Sequence, residues 1–260
     1  MTSPRPHRVL RQHLETDRLL GVEAVPMGET RPAPAAAPLR IKPADAEVPS
    51  SPAPANPRPA TPPVSLDVGD KLSVLQSLDQ HEVQTCTRCE LHAGRTQTVF
   101  GEGDPNAPLM IVGEGPGAEE DRTGRPFVGR AGELLTKQIG AMGFTREQVY
   151  IANVVKCRPP NNRTPTPAEA ATCGNYLRRQ IETIRPQVIL TVGGPAAKLL
   201  LGTATGITRL RGTWHTYDAV DPPIPVMPTF HPAYLLRSYT KDNRAKVWSD
   251  LQQVMQKLEA

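Results

Sequence analysis

Apolar residues recur in the C-terminal part of the chain as four short runs, at residues 109–112, 149–155, 188–192 and 226–230. Each run has the length of a buried strand. The segments between and beside them have helical composition instead. This alternation of strands and helices predicts an α/β fold with a largely parallel central sheet. The predicted helices lie at residues 71–84, 131–143, 166–184, 195–202 and 241–260.

The first 70 residues follow a different pattern. Residues 1–25 include a short stretch of helical composition at 8–20, which is either a docking peptide or a tail without function. Residues 26–70 are rich in Pro and Ala and have almost no aromatic residues, so they cannot bury enough surface to fold. We therefore expect a disordered linker with polyproline II character at 26–70 and a folded domain at 71–260.

Composition and charge narrow the function classes only slightly. The formal net charge is +4, which permits contact with a polyanion but is also ordinary for a soluble protein. No run of about twenty apolar residues is present, so we expect no membrane span. The N-terminus lacks the apolar core of a secretory signal. The expected location is the cytoplasm.

Glycines and functional polar residues cluster where the predicted strands end. GEGPG at residues 113–117 follows the first strand, and Asn153 lies near the end of the second. A Gly-Gly-Pro turn at 193–195 follows the third strand, and His231 follows the fourth. Ligands of open α/β sheets bind beside the carboxyl ends of the strands. These four strand ends therefore predict a single cleft.

Each of these signals is weak by itself. GEGPG lets the backbone approach a ligand, but a simple tight turn explains it as well, and it matches neither nucleotide-binding glycine motif. Asn153 inside a buried strand needs partners for its amide, which either a pyrimidine edge or neighbouring backbone could supply. His231 could donate a hydrogen bond to a developing anion or be structural.

The four cysteines are the strongest candidate for a metal site. Cys86 and Cys89 form a CxxC pair, whereas Cys157 lies in a predicted loop and Cys173 on a predicted helix. Four thiolates without His suit a tetrahedral zinc or an iron–sulfur cluster. Structural zinc usually takes two tight knuckles, and the second pair here is not one. The spacing therefore favours a cluster.

Taken together, these motifs resemble the family 4, thermophile-type uracil-DNA glycosylases. The resemblance covers about residues 73–258, and the order, spacing and cysteine pattern all agree. The first 70 residues match nothing in that family. The pieces that carry it are CTRCELHAGRTQTVFGEG, GEGPGAEED, TGRPFVGRAGELL, VYIANVVKCRPPNNRTPTPAEAATC and FHPAYLLR.

The resemblance implies a three-layer α/β/α sandwich with a four-stranded, largely parallel sheet and a [4Fe–4S] cluster on the four cysteines. The implied reaction is hydrolysis of the N-glycosidic bond of deoxyuridine in DNA after the base leaves the stack, which initiates base-excision repair. The implied ligands of the cluster are Cys86, Cys89, Cys157 and Cys173.

Residue roles are likewise carried over from the resemblance. Phe127 stacks on the flipped uracil, Asn153 pairs with its Watson–Crick edge, and His231 hydrogen-bonds uracil O2. Glu120 is a candidate to reject the 5-methyl group of thymine. A related family has Asp at the position of Gly115, which leaves Glu114 as the candidate for handling water. The implied catalytic residues are His231, Glu114 and Asn153; the uracil-binding residues are Glu114, Gly115, Pro116, Phe127, Asn153 and His231; and the DNA wedge is Tyr234, Leu235, Leu236 and Arg237.

Three functions are compatible with these sequence features. The leading one is a monomeric DNA glycosylase that acts on uracil-containing DNA. The second is a non-catalytic nucleic-acid-binding iron–sulfur module, tethered by its N-terminus to a replication or repair protein. The third is a redox-responsive iron–sulfur protein. Some relatives trap uracil covalently through a His in a loop after the second strand, but residues 156–169 contain no His, which excludes that reading.

Overall fold

The computed structural model describes residues 68–260. Helix α1, Val68–Leu78, begins at the first of these residues and continues into a π-helical turn at Asp79–Val83. The expectations for the segment at 1–25 and for the linker up to residue 67 lie outside the described residues. The helix starts three positions before the predicted domain boundary at 71.

A six-stranded mixed sheet forms the centre of the domain. Its strands are β1 (Glu102–Gly103), β2 (Leu109–Gly113), β3 (Tyr150–Asn153), β4 (Val188–Val192), β5 (His215–Tyr217) and β6 (Ile224–Thr229). They are arranged in the order β1-β3-β2-β4-β6-β5. The four central strands pair in parallel, whereas β1 and β5 pair antiparallel at the two edges.

The parallel core of the sheet confirms the four predicted strands, and the count of four for the whole sheet is corrected to six. The two additional strands are only two and three residues long. Such short segments carry no recognisable alternation of apolar and polar residues. They form the two edges of the sheet.

Helices cover both faces of the sheet, which gives the predicted α/β/α arrangement. Helix α4, Pro167–Ile184, begins where predicted because Thr166 caps it, Pro167 occupies its first position, and Glu169 completes a capping box. The remaining helices are α2 (Ala118–Thr123), α3 (Arg130–Ala141), α5 (Gly194–Leu201), α6 (Ile207–Leu210), α7 (Pro232–Arg237) and α8 (Lys241–Glu259).

Alternate residues of each central strand enter two separate hydrophobic cores. Met110 and Val112 of β2 pack with residues of α1, α4 and α5. Leu109 and Ile111 face the other way and pack with α3 and α8. Burial on both faces explains why these strands are continuously apolar. None of the helices among residues 68–260 has the length and apolar character needed to cross a membrane.

Candidate active site and cysteine cavity

The carboxyl ends of the central strands meet at one edge of the sheet, as the sequence predicts. Gly113 at the end of β2 is in register with Asn153 at the end of β3. On the other side of β2, β4 and β6 end side by side, and the Gly193 N–H donates to the carbonyl of Thr229 at 3.0 Å. His231 follows two residues later. The cleft is therefore built at the ends of four strands, and the sheet fixes their relative positions.

Gly113 makes room for two candidate base-binding side chains. A Cβ at this position would lie 2.4 Å from Asn153 Oδ1 and 2.5 Å from Phe127 Cζ. Asn153 is 1% exposed, and its Oδ1 has no hydrogen-bond partner among the described residues. A buried amide oxygen without a partner is costly, so it indicates a ligand that donates to it. Asn153 and Phe127 thus converge at the glycine.

Phe127 is held in an uncommon backbone conformation. Its φ is +53°, a region that side chains other than Gly rarely adopt. Arg146 stabilises this turn, because its guanidinium donates to the carbonyls of Pro126 at 2.7 Å and Phe127 at 3.1 Å. Arg146 is itself paired with Glu102 at 2.6 Å. Backbone strain of this kind is typical of functional sites, where surrounding contacts maintain it.

His231 lies beside Phe127, with their ring centroids 5.7 Å apart. It caps α7, and its Nδ1 accepts a hydrogen bond from the Ala233 N–H at 3.0 Å. Since Nδ1 is an acceptor, the proton of the neutral imidazole must sit on Nε2. Burial, together with the charge of Arg237, lowers the pKa of His231 to about 4, against an opposing effect of Glu120. The ring is therefore a neutral hydrogen-bond donor at neutral pH.

The loop after β2 packs against the chain that follows β3. The Val154 and Val155 N–H groups donate to the carbonyls of Gly113 and Glu114 at 2.9 and 3.2 Å. Gly115 approaches closely, since a Cβ there would lie 2.7 Å from Val155 Cγ2. Burial raises the pKa of Glu114 above its usual range, while a hydrogen bond from Thr164 lowers it. Pro116, which follows, is buried.

Glu120 has a role that sequence reasoning missed. Its Oε2 accepts from the Gly117 N–H at 3.1 Å, and its Oε1 accepts from the N–H groups of Val128 and Gly129 at 3.0 and 3.1 Å. One carboxylate thus joins the loop after β2 to the loop that carries Phe127. The signal available in the sequence was the Gly117-to-Glu120 spacing of a capping box.

The predicted wedge corresponds to helix α7, but only part of it is exposed. Tyr234 and Leu236 are 37% and 39% exposed, whereas Leu235 is 2% exposed and packs into the core. Leu235 therefore anchors the helix and is not available to enter DNA, because successive helix residues point in different directions. Arg237 is exposed.

Several basic residues near the motif loops are engaged in structural ion pairs. Arg163 pairs with Glu169, Arg179 with Glu82, and Arg211 with the buried Asp250. Ion pairs of this kind hold helices and loops together. These three arginines are therefore poor candidates for phosphate contacts.

The four cysteines line one cavity on the α1–α4 side of the sheet, together with Lys156 and Tyr176. The sulfurs of Cys157 and Cys173 accept hydrogen bonds at 3.2 Å, from Arg95 and from the Lys156 N–H respectively. Burial raises the pKa of both thiols, that of Cys173 to about 11. Within residues 68–260, no group of three or more His, Cys, Asp or Glu side chains is arranged so that it could hold a metal ion.

Lys156 connects this cavity with the cleft. The side chain is 1% exposed, and its Nζ donates to the Asn153 carbonyl at 2.9 Å and to Gln180 Oε1 at 2.6 Å. Burial lowers the pKa of Lys156 to about 8. The same residue thus contacts Cys173 through its N–H and Asn153 through its ammonium group.

The fold and the cleft define an α/β protein in which an aromatic ring, an amide and an imidazole lie together at the carboxyl edge of a parallel sheet. The sequence model of the uracil DNA glycosylase superfamily matches residues 100–252. The type-4 uracil-DNA glycosylase of Thermotoga maritima is 49% identical over 182 residues, which is 68% of this chain and 92% of that protein.

Two further type-4 uracil-DNA glycosylases are also similar. The protein of Archaeoglobus fulgidus is 42% identical over 69% of this chain and 92% of its own length. That of Sulfurisphaera tokodaii is 46% identical over 60% of this chain and 74% of its own length. The chain belongs to the type-4 uracil-DNA glycosylase family of this superfamily.

Proposed function

We propose that this protein removes uracil from DNA by hydrolysing the N-glycosidic bond of deoxyuridine, which leaves an abasic site and initiates base-excision repair. Family membership supports the activity. The observation that carries the base specificity is the buried Asn153 amide, whose Oδ1 lacks a partner beside Phe127. A flipped uracil supplies both the aromatic plane and the polar edge that this arrangement lacks.

Asn153 reads the Watson–Crick edge of the base. Uracil offers N3–H as a donor and O4 as an acceptor, which match the Oδ1 and Nδ2 groups of an amide. Cytosine reverses this pattern, so its amino group would face Nδ2 and leave a buried donor unpaired. Phe127 stacks on the base, and the backbone at 114–116 closes the pocket around it. Such a hydrogen-bonding site rejects a base with mismatched polar groups strongly.

His231 stabilises the departing base. As the glycosidic bond breaks, negative charge moves onto uracil, and the Nε2–H of His231 donates to O2. This donor is fixed in direction by the Ala233 contact, so little reorganisation accompanies the reaction. Glu114 accepts a proton from, or orients, the water that attacks C1′. Burial raises the pKa of Glu114 above its usual range, which makes its carboxylate a stronger base.

Helix α7 and the cysteine cavity supply the remaining parts. Tyr234, Leu236 and Arg237 fill the space that the flipped nucleotide leaves in the stack. Cys86, Cys89, Cys157 and Cys173 hold a [4Fe–4S] cluster, which when bound ties the segment at 86–89 to a loop and to helix α4 through iron–thiolate bonds. The hydrogen bonds to the sulfurs of Cys157 and Cys173 are those that cluster thiolates accept, and they support this assignment.

We place the protein as a monomer in the cytoplasm, associated with the nucleoid, with residues 1–70 available to bind a replication or repair protein. A non-catalytic nucleic-acid-binding module is the alternative. It is not favoured, because a module that only binds DNA has no use for a buried amide oxygen that lacks a partner among the described residues and lies beside an aromatic ring and an imidazole.

The direct test uses an oligonucleotide with a single uracil, incubated with the protein and then cleaved with alkali at any abasic site. Cleavage at the uracil is expected, and matched oligonucleotides with cytosine or thymine should remain intact. The Asn153→Leu variant should lose excision, while His215→Ala, which changes a histidine on an edge strand, should retain it. Absence of cleavage in a cluster-replete sample would exclude the glycosylase.

A further inference from the structure

Glu102 on the edge strand β1 is the centre of an ion-pair network that lies beside the Phe127 turn. Its Oε1 accepts a hydrogen bond from Arg146 Nη2 at 2.6 Å, and its Oε2 accepts one from Arg125 Nε at 2.8 Å. The side chains of Glu102 and Arg146 are only 22% and 13% exposed, whereas that of Arg125 is 61% exposed. Solvent weakens exposed ion pairs, so the pair with Arg146 is the stronger one.

Strand β1 holds the backbone of Glu102 against β3. Glu102 is in register with Ile151, and Asn153 ends β3 two residues later. Gly103 has a φ of +129°, and a Cβ there would lie 1.8 Å from the carbonyl oxygen of Val149, so only Gly permits this close approach. The sheet therefore fixes the position from which the Glu102 carboxylate extends.

Arg146 connects Glu102 to the backbone of Phe127. The guanidinium that pairs with Glu102 also donates to the carbonyls of Pro126 and Phe127, in the turn where Phe127 has its positive φ. The carbonyl of Phe127 contacts helix α3 as well, since a Cβ on Gly132 would lie 1.9 Å from its oxygen. The backbone of Phe127 is thus held between Arg146 and α3, and the direction of its ring depends on both contacts.

We propose that Glu102 is a positioning residue for base binding, which acts through Arg146 to hold the Phe127 ring in the plane where it stacks on the flipped base. This inference rests on the proposed function. Without the carboxylate, the long side chain of Arg146 regains rotamer freedom and its unpaired charge favours contact with water, so the two carbonyls lose a fixed donor. A ring that has to be ordered when the base arrives binds that base more weakly.

The first test is the kinetics of Glu102→Ala on a single-stranded oligonucleotide with one uracil. KM should rise about fivefold to tenfold, which is the lower end of the effect of losing one stacked base, while kcat changes little. Stacking holds the base both before and during bond cleavage, so its loss affects binding more than chemistry. Glu102→Gln, which retains an acceptor for Arg146, should give a smaller rise. Glu182→Ala, which removes a glutamate paired with Arg178 on α4, is the control and should leave KM unchanged.

A double-mutant cycle shows whether Glu102 acts through Phe127. Phe127→Leu should raise KM at least as much as Glu102→Ala, and the double variant should bind no more weakly than Phe127→Leu alone, because the ring that Glu102 positions is then absent. The assay temperature is kept below the melting temperature of every variant. Effects that add in the double variant, or a Glu102→Ala protein with the KM of the parent, would overturn the proposal.

A measurement without DNA separates this proposal from the proposed function. The chain has 4 Phe residues, so labelling with para-fluorophenylalanine gives a simple fluorine NMR spectrum in which Phe127→Leu identifies the Phe127 resonance. That resonance should shift or broaden in Glu102→Ala and should coincide with the parent in Glu182→Ala. An unchanged resonance in Glu102→Ala contradicts the role of Glu102 even if the parent excises uracil. A parent that does not excise uracil contradicts the proposed function, whatever the fluorine spectra show.

Discussion

His231 and Asn153 present different hydrogen-bonding groups to the cleft. His231 Nδ1 accepts from a backbone N–H, whereas Asn153 is buried with an Oδ1 that has no partner among the described residues. The first therefore presents a donor, and the second presents an acceptor with an adjacent donor. This division matches the different demands of charge stabilisation and base recognition.

Replacement of His231 by Ala should reduce turnover while the protein stays folded. Loss of one preorganised donor to a developing anion costs about 2.7–4 kcal/mol, or roughly a hundred- to thousandfold in rate. Single-turnover kinetics on a uracil oligonucleotide measure the effect, with DNA affinity and iron content as checks on integrity. A rate within a few-fold of the parent would show that His231 is only a helix cap.

The pH dependence should reflect a histidine that stays neutral. The pKa of His231 in the folded state is about 4, below its ordinary value of 6.5. The single-turnover rate should therefore show no loss from this residue between about pH 5 and 8, and should fall as the pH approaches 4. A folded pKa that is lowered also means that stability contributed by the neutral ring declines as the pH falls below 6.5. A rate that titrates near 6.5 through His231 would contradict this assignment.

The candidate residues could be predicted from the sequence where a motif fixes them to a strand end, as for Asn153 and His231. Burial along a short helix could not. FHPAYLLR suggests four consecutive wedge residues, but Leu235 packs inward because the helix turns by about 100° per residue. The positive φ of Phe127 could not be predicted from the sequence either, since the contacts that stabilise it come from Arg146, which is distant in sequence.

At the level of elements, the cleft depends on loops that are tied to each other. Glu120 connects the loop after β2 to the loop of Phe127 through three backbone N–H groups. The strands themselves were predictable because burial on both faces makes them continuously apolar. The edge strands and the hydrogen bonds of Glu120 could not be predicted. They depend on contacts between segments that are each too short to carry a pattern of apolar and polar residues.

Glu120→Gln should weaken base binding more than chemistry. An amide is uncharged and has a single acceptor oxygen, so all three N–H groups lose a charged partner and at least one loses its acceptor, at a cost of about 1–3 kcal/mol. We expect a higher KM, a smaller change in kcat and a lower melting temperature. Glu119→Gln is the matched control, because Glu119 is exposed and pairs only with Arg122 at the surface. Equal effects of the two changes would exclude the tie as a determinant of the site.

On the scale of the whole molecule, the sheet separates two cores, and the cysteine cavity lies in one of them. Cys157→Ala should lose the bound iron, about four atoms per chain in the parent protein, and should lower the melting temperature. Iron analysis and the visible absorbance of anaerobically purified protein measure this. His81→Ala, an exposed change close to the CxxC pair, should retain the iron. Stoichiometric zinc in the parent protein would contradict the cluster.

Deletion of residues 1–67 should leave the excision of uracil from short oligonucleotides nearly unchanged. All candidate site residues lie between Cys86 and Arg237, and helix α1 is anchored within the remaining chain by the hydrogen bond from Lys71 to the Ile184 carbonyl at 2.9 Å. Turnover of the truncated protein, compared with that of the full chain, is the measurement. A large loss would show that the N-terminal segment belongs to the catalytic unit.

Lys156 has a consequence for how this protein would fail. Its N–H contacts Cys173 and its ammonium group holds the Asn153 carbonyl, so five successive residues, 153–157, serve both the cavity and the base pocket. Oxidation of the cysteines should therefore also disturb Asn153, the residue that we propose reads the base. We expect protein with oxidised cysteines to lose uracil excision although no cysteine belongs to the proposed base-binding site.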